Sequence, residues 1–268
     1  MPLEDQLYLA ADFSLFAAVL LGWLALRFPS VSRRRLSQGL LILFLAVQGM
    51  ALFWAVAVQG YAMLARPGAT SIVAVETAAL LCLWGRRFLG APIEVASALT
   101  LAFVVHSYAL VQMWLPTAGI VGPPPFVNAW FGLHLLTAAV TAGAYICAAG
   151  GILAWLARRV VHRMGAPSEN DREPDAPLFT QWTLMIAYPI LTSSVIARGA
   201  WSYLAFGTCW SWHSAAVLLL ALWLVLTGTL HMTDGARWHR AIRALLVLFG
   251  LLLAVLILPL LGQTVPAG

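Results

Sequence analysis

Apolar blocks of about 20 residues or more recur along the chain from Leu7 to Leu261, separated by short polar joints. They run approximately 7–27, 38–64, 69–85, 91–115, 129–157, 178–197, 213–232 and 243–262. No alternation of period two marks barrel strands, so helices must satisfy the backbone in lipid. The predicted fold is all-α: a polytopic integral membrane protein of about eight transmembrane helices. The third block is short and the fifth long, mismatches that tilt or local thinning of the bilayer absorb.

The joints give a predicted orientation. The first, third, fifth and seventh carry Arg27 with Arg33 to Arg35, then Arg86 and Arg87, then Arg158, Arg159, Arg163 and Arg172, then Arg237, Arg240 and Arg243. Basic residues collect on the cytoplasmic side. The other joints hold only Arg66 and Arg198, and the tail after Leu261 is neutral, so both termini are expected outside. The segment 165–177 (GAPSENDREPDAP) reads as a cytoplasmic loop. It divides a single transmembrane domain, 1–268, into a five-helix part (1–164) and a three-helix part (178–268) with an external Trp-rich loop at 198–213. A multi-pass protein of the inner (plasma) membrane is expected.

Composition agrees, with 62% hydrophobic and 9% charged residues, far from the roughly 25% charged of a soluble domain. The net charge of +5 sits in clusters between apolar blocks rather than on a basic face, which argues against nucleic acid as a partner and for the lipid bilayer. Met1 to Gln6 carries acidic residues and no basic region, so the first block is expected to remain as a helix. Cys82, Cys147 and Cys209 show no redox or zinc spacing. The first two read as buried small hydrophobes, and Cys209 falls in an external joint. No motif of an independent soluble enzyme is present, and no repeat of a transporter is evident.

The unusual stretch is 198–216, RGAWSYLAFGTCWSWHSAA. It places Trp201, Trp210 and Trp212 with Tyr203 and Phe206 at a membrane–water boundary. Such residues anchor membrane proteins generally; they also make an apolar surface against which a flat ring system packs. Histidines supply axial ligands to a porphyrin iron, and Arg198 is a candidate for pairing with a carboxylate. His106 lies alone inside the fourth block, where bonding to a neighbouring helix is the usual role. Glu76 falls near mid-span, a costly position for a carboxylate.

The spacing W-x-Y-x-A-x-G-x-x-W-S-W, from Trp201 to Trp212, resembles the WWD loop of the CcsA/HemX cytochrome c assembly family. Upstream, 130–145 (WFGLHLLTAAVTAGAY) is similar to the family helix that begins with an external haem-ligating histidine, here His134. Downstream, 230–232 (LHM) takes the place of the family histidine at the inner end of the next helix, here His231. The acidic end of the motif is replaced by Trp212-His213-Ser214-Ala215-Ala216, and no histidine follows the last span. His213 is the candidate substitute for the missing axial ligand.

The resemblance implies a haem-handling membrane protein of c-type cytochrome biogenesis. It would accept haem b transiently near His231 and present it at the external loop, with His134, His213 and His231 as iron ligands. It implies a CcsB/ResB-type membrane partner and apocytochrome c, with no independent enzyme activity but a place in a haem-lyase complex. The altered motif leaves a second reading open, a HemX-like regulatory or structural subunit that no longer binds haem.

Overall fold

The computed structural model of the protein describes residues 3–28, 30–66, 68–89, 91–114, 127–164, 178–210, 212–232 and 237–261. The Pro-rich joint at 122–125, the acidic joint at 165–177 and Ser211 lie outside them. Eight helices are long and apolar enough to cross a membrane, and no strand occurs among the described residues. They are α1 (Leu3–Arg27), α2 (Val31–Gln59), α3 (Ala69–Phe88), α4 (Pro92–Trp114), α5 (Ala129–Met164), α6 (Leu178–Phe206), α7 (Ser214–His231) and α8 (Arg237–Ile257). A short 3-10 turn, Gly60–Ala65, joins α2 to α3, and a second, Leu258–Leu260, ends α8.

α5 is the hub, packing on α3, α4, α6 and α8. Its middle reads AAVTAGAYICAAGGILA, and in lipid such small residues let helix backbones approach closely. A Cβ on Gly143 would collide with the Ala74 carbonyl and the Thr77 side chain, and one on Gly150 would collide with the Ala98 backbone. At 36 residues α5 rises about 54 Å, well beyond the roughly 30 Å hydrocarbon core. α7, by contrast, is flanked by α6 and α8.

Contacts sort the helix ends into two groups. The start of α3 meets the end of α8 through Thr70, whose hydroxyl donates to the Leu258 carbonyl at 2.9 Å. The first half of α1 meets the second half of α4 through Asp12 and His106. At the other end Arg158 of α5 pairs with Glu94 of α4, Phe179 of α6 packs on Gly85 of α3, and Arg243 of α8 donates to the Met232 carbonyl after α7. The second end carries the arginine clusters. The first carries Arg66 and Arg198.

Several helices extend past the limits expected from hydropathy. α2 starts at Val31, taking Arg33 to Arg35 into its first turns. α6 continues through Phe206, so Arg198, Trp201 and Tyr203 are helical and the expected external loop at 198–213 is in fact a short joint after Phe206. The physical stop is Gly207, at φ 73°, whose N–H caps the Tyr203 carbonyl at 2.9 Å. A glycine in this conformation commonly closes a helix.

Candidate functional site

The inward stripe of α6 runs through Ala187, Leu191, Ser194, Ala197, Arg198, Trp201 and Ser202, all buried. This spacing lays one helical face against α5. Opposite it, near the start of α5, Phe131, His134 and Leu135 are buried, and His134 is fully so. Asn128 caps this helix, accepting the Phe131 N–H at 3.0 Å, which fixes where the first turn begins.

His134 and Ser194 hold each other reciprocally. The Ser194 hydroxyl donates to the His134 carbonyl at 3.1 Å. The His134 ring faces Ser194 Oγ at 3.0 Å and its carbonyl at 3.2 Å through Nδ1. Arg198 meets the other ring nitrogen, Nε2, at 3.1 Å through Nη1, while its Nη2 meets His213 Nε2. A guanidinium only donates, so both Nε2 atoms accept and both rings carry their remaining proton on Nδ1. Two imidazole lone pairs therefore converge on one buried cation, held 3% exposed.

His213 precedes α7 and caps nothing with its side chain. Burial, and then the neighbouring Arg198 charge, hold its pKa below the ordinary histidine value. The joint is folded back onto α6, with the Cys209 carbonyl 3.4 Å from where a Cβ on Gly199 would stand.

The three indoles do not form one flat surface. Trp201 is buried against Phe131 at 5.1 Å between ring centroids, meets Phe206 edge-on at 5.4 Å, and lies under the Arg198 guanidinium at 6.0 Å. Trp212 is 77% exposed, with Trp210 roughly perpendicular to it at 6.4 Å. The Trp210 Nε1–H is buried without a hydrogen-bond acceptor among the described residues.

His231 lies at the far end of α7 from His213. It is exposed, and its Nδ1–H donates to the Thr227 carbonyl at 2.8 Å, leaving Nε2 as the acceptor nitrogen. His134, Arg198, His213 and Trp201 are thus brought together, Trp210 and Trp212 stand in the joint that leads to His213, and His231 is apart. Sequence reading treated Arg198 as a partner for a ligand and missed its two histidines. It passed over Ser194 altogether, whose signal was its place on the α6 stripe four residues before Arg198.

His106 and the two buried cysteines have structural partners. His106 sits between Asp12 Oδ1 at 2.9 Å and Gln48 Oε1 at 3.3 Å, bonded to neighbouring helices as expected. Cys82 and Cys147 are buried in contact at 3.8 Å, and Cys209 is exposed. Among the described residues no group of three or more His, Cys, Asp or Glu side chains is placed to hold a bare metal ion.

Parts of the chain are similar in sequence to proteins named cytochrome c biogenesis protein CcsA. The identity is 31% over 70 residues with that of Pyropia yezoensis, covering 26% of this chain and 22% of the relative. It is 35% over 65 residues with that of Synechococcus sp. (strain JA-3-3Ab), covering 24% and 19%, and 36% over 56 residues with that of Guillardia theta, covering 21% and 19%. The matched segments span only about a fifth of these relatives' length. No family model matches the chain. In fold it is similar to a solved cytochrome c haem lyase, CcmF, with a TM-score of 0.73 and 18% identity over 98% of this chain and 47% of that one. About a quarter of the chain is thus similar in sequence to proteins named CcsA, and nearly its whole length is similar in fold to CcmF.

Proposed function

We propose that the chain handles haem in c-type cytochrome biogenesis, taking it as cargo at the end of the bundle that carries His134, Arg198 and His213. The observation that carries this reading is the convergence of two neutral imidazoles, from α5 and from the joint before α7, on one point. The donor set suits an axially ligated porphyrin iron. The Trp210 Nε1–H, in the joint that leads to His213, adds a donor without an acceptor among the described residues.

Each residue has a definable part. Ser194 holds His134 in the Nδ1–H tautomer, the orientation that leaves Nε2 as a ligand. Arg198 bonds both Nε2 atoms, so iron ligation by the pair requires its guanidinium to move aside, where it can pair with a propionate. His213 substitutes for the missing second axial histidine of the family. His231, at the arginine-rich end, receives haem b before its transfer. That end faces the cytoplasm of an inner (plasma) membrane protein with both termini outside, and a CcsB/ResB-type partner and apocytochrome c complete a haem-lyase assembly.

One observation favours a second reading, a HemX-like regulatory or structural subunit that no longer binds haem. Arg198 already satisfies both histidines, as a permanent cation would. Pyridine haemochrome analysis of the purified chain and its His134→Ala and His213→Ala variants separates the two. Stoichiometric haem that is lost in both variants supports haem handling. A colourless wild-type protein, expressed with ample haem, overturns it in favour of the second reading.

A further inference from the structure

The proposed function leaves the arginine-rich end of α1 to α4 unused, and there a partly open cavity of about 370 Å³ lies between these four helices. Leu26 and Leu99 contribute apolar wall, while Arg34 and Arg86 face in from α2 and α3. Ser37 also lines it, but its hydroxyl is already donated to the Ala18 carbonyl at 3.0 Å. Gly22 leaves space beside that hydroxyl.

The charge arrangement is lopsided. Arg158 has Glu94, Arg33 donates to the Phe28 carbonyl, and Arg87 and Arg159 lie over the rings of Phe88 and Trp155. Arg34 and Arg86 have no carboxylate partner among the described residues, and no Asp or Glu lines the cavity. Two like charges facing one partly enclosed space repel, and an anion between them reverses the sign of that interaction. Basic pockets between transmembrane helices are suited to phosphate head groups, and the volume falls within the roughly 300–1,000 Å³ of small-ligand sites.

We propose that this cavity binds the phosphate head of an anionic amphiphile between Arg34 and Arg86, with an apolar chain running along Leu26 and Leu99. A membrane phospholipid and free phosphate share the head-group chemistry, and the test distinguishes them. The full chain, purified in detergent, is incubated with phosphatidylglycerol, with phosphatidylcholine of matched chains, or with inorganic phosphate, and bound adducts are counted by native mass spectrometry. Arg34→Gln removes one arginine at an exposed position, and Arg34→Gln with Arg86→Gln removes both. Arg35→Gln makes the same change in net charge one residue away, outside the cavity.

The expected result is a retained phosphatidylglycerol adduct, weakened about fivefold by Arg34→Gln, weakened further in the double variant, and unchanged in Arg35→Gln. Inorganic phosphate binding with the same arginine dependence and no preference for lipid supports the anion site with free phosphate as its source. Equal retention of the two lipids, an equal loss in Arg35→Gln, or no anion retained by the wild-type chain overturns the proposal. Because Arg34 is exposed, its single variant keeps the test valid even where the double variant fails to fold.

Discussion

His134 and Ser194 are bound to each other in both directions, hydroxyl to carbonyl at 3.1 Å and ring to hydroxyl at 3.0 Å, across the α5–α6 interface. The pair both joins two helices and sets which nitrogen of the ring carries the proton. Ser194→Ala is expected to lower stability by about 1 kcal/mol, the scale of an interhelical hydrogen bond in a membrane. Haem affinity should fall about tenfold, as for loss of a group that orients a ligand. Thermal unfolding in detergent and haem titration check the two effects separately.

Arg198 gives a pH signature through His213. Burial and the guanidinium depress the folded-state pKa of His213, whereas the unfolded value is about 6.5. As pH falls below about 6.5 the unfolded chain takes the proton first, so stability drops from there until the pH passes the folded pKa. The unfolding temperature should therefore decrease between about pH 7 and pH 5, and decrease less in His213→Gln. In Arg198→Gln one of the two causes is removed, and the titration of His213, followed by its modification with diethylpyrocarbonate, should move upward.

His106 separates a structural histidine from a ligand. His106→Leu leaves Asp12 and Gln48 without their shared partner inside the bundle, and a loss of about 1–2 kcal/mol is expected. The folded fraction should keep its haem occupancy. Coincident loss of haem from well-folded His106→Leu would place that residue on the cargo route instead.

Glycine substitutions test the closeness of the α5 packing. Gly150→Val should cost at least about 1–3 kcal/mol from overpacking against the Ala98 backbone. Gly39→Ala, with no atom within 4 Å of the added Cβ, should be neutral or stabilising by up to about 1 kcal/mol. Unfolding midpoints of the two variants, compared in one detergent, decide this.

The number and order of helices were legible because a bilayer demands a long apolar run for each crossing, and the blocks from Leu7 to Leu261 meet that demand. Their ends were less so. Hydropathy falls at Arg198 and Trp201, yet the α6 backbone has no reason to stop until Gly207 allows φ 73°. His134 and His213 were found through the resemblance. Their bridging by Arg198 was not, since a sequence shows that an arginine is near a boundary but not that it is buried with two acceptors. The same holds for His106, whose partners come from α1 and α2.

α5 sits in a socket of backbones, with Ala74 and Ala98 pressed against its glycines, and it carries His134. His213 rides on α7, which is bordered by α6 and α8. One imidazole is therefore set by a helix wedged among four others, and the other by the joint before a helix with two neighbours. Arg198 of α6 reaches both rings, so a change at that one residue would loosen the link between them while Ser194 still holds His134.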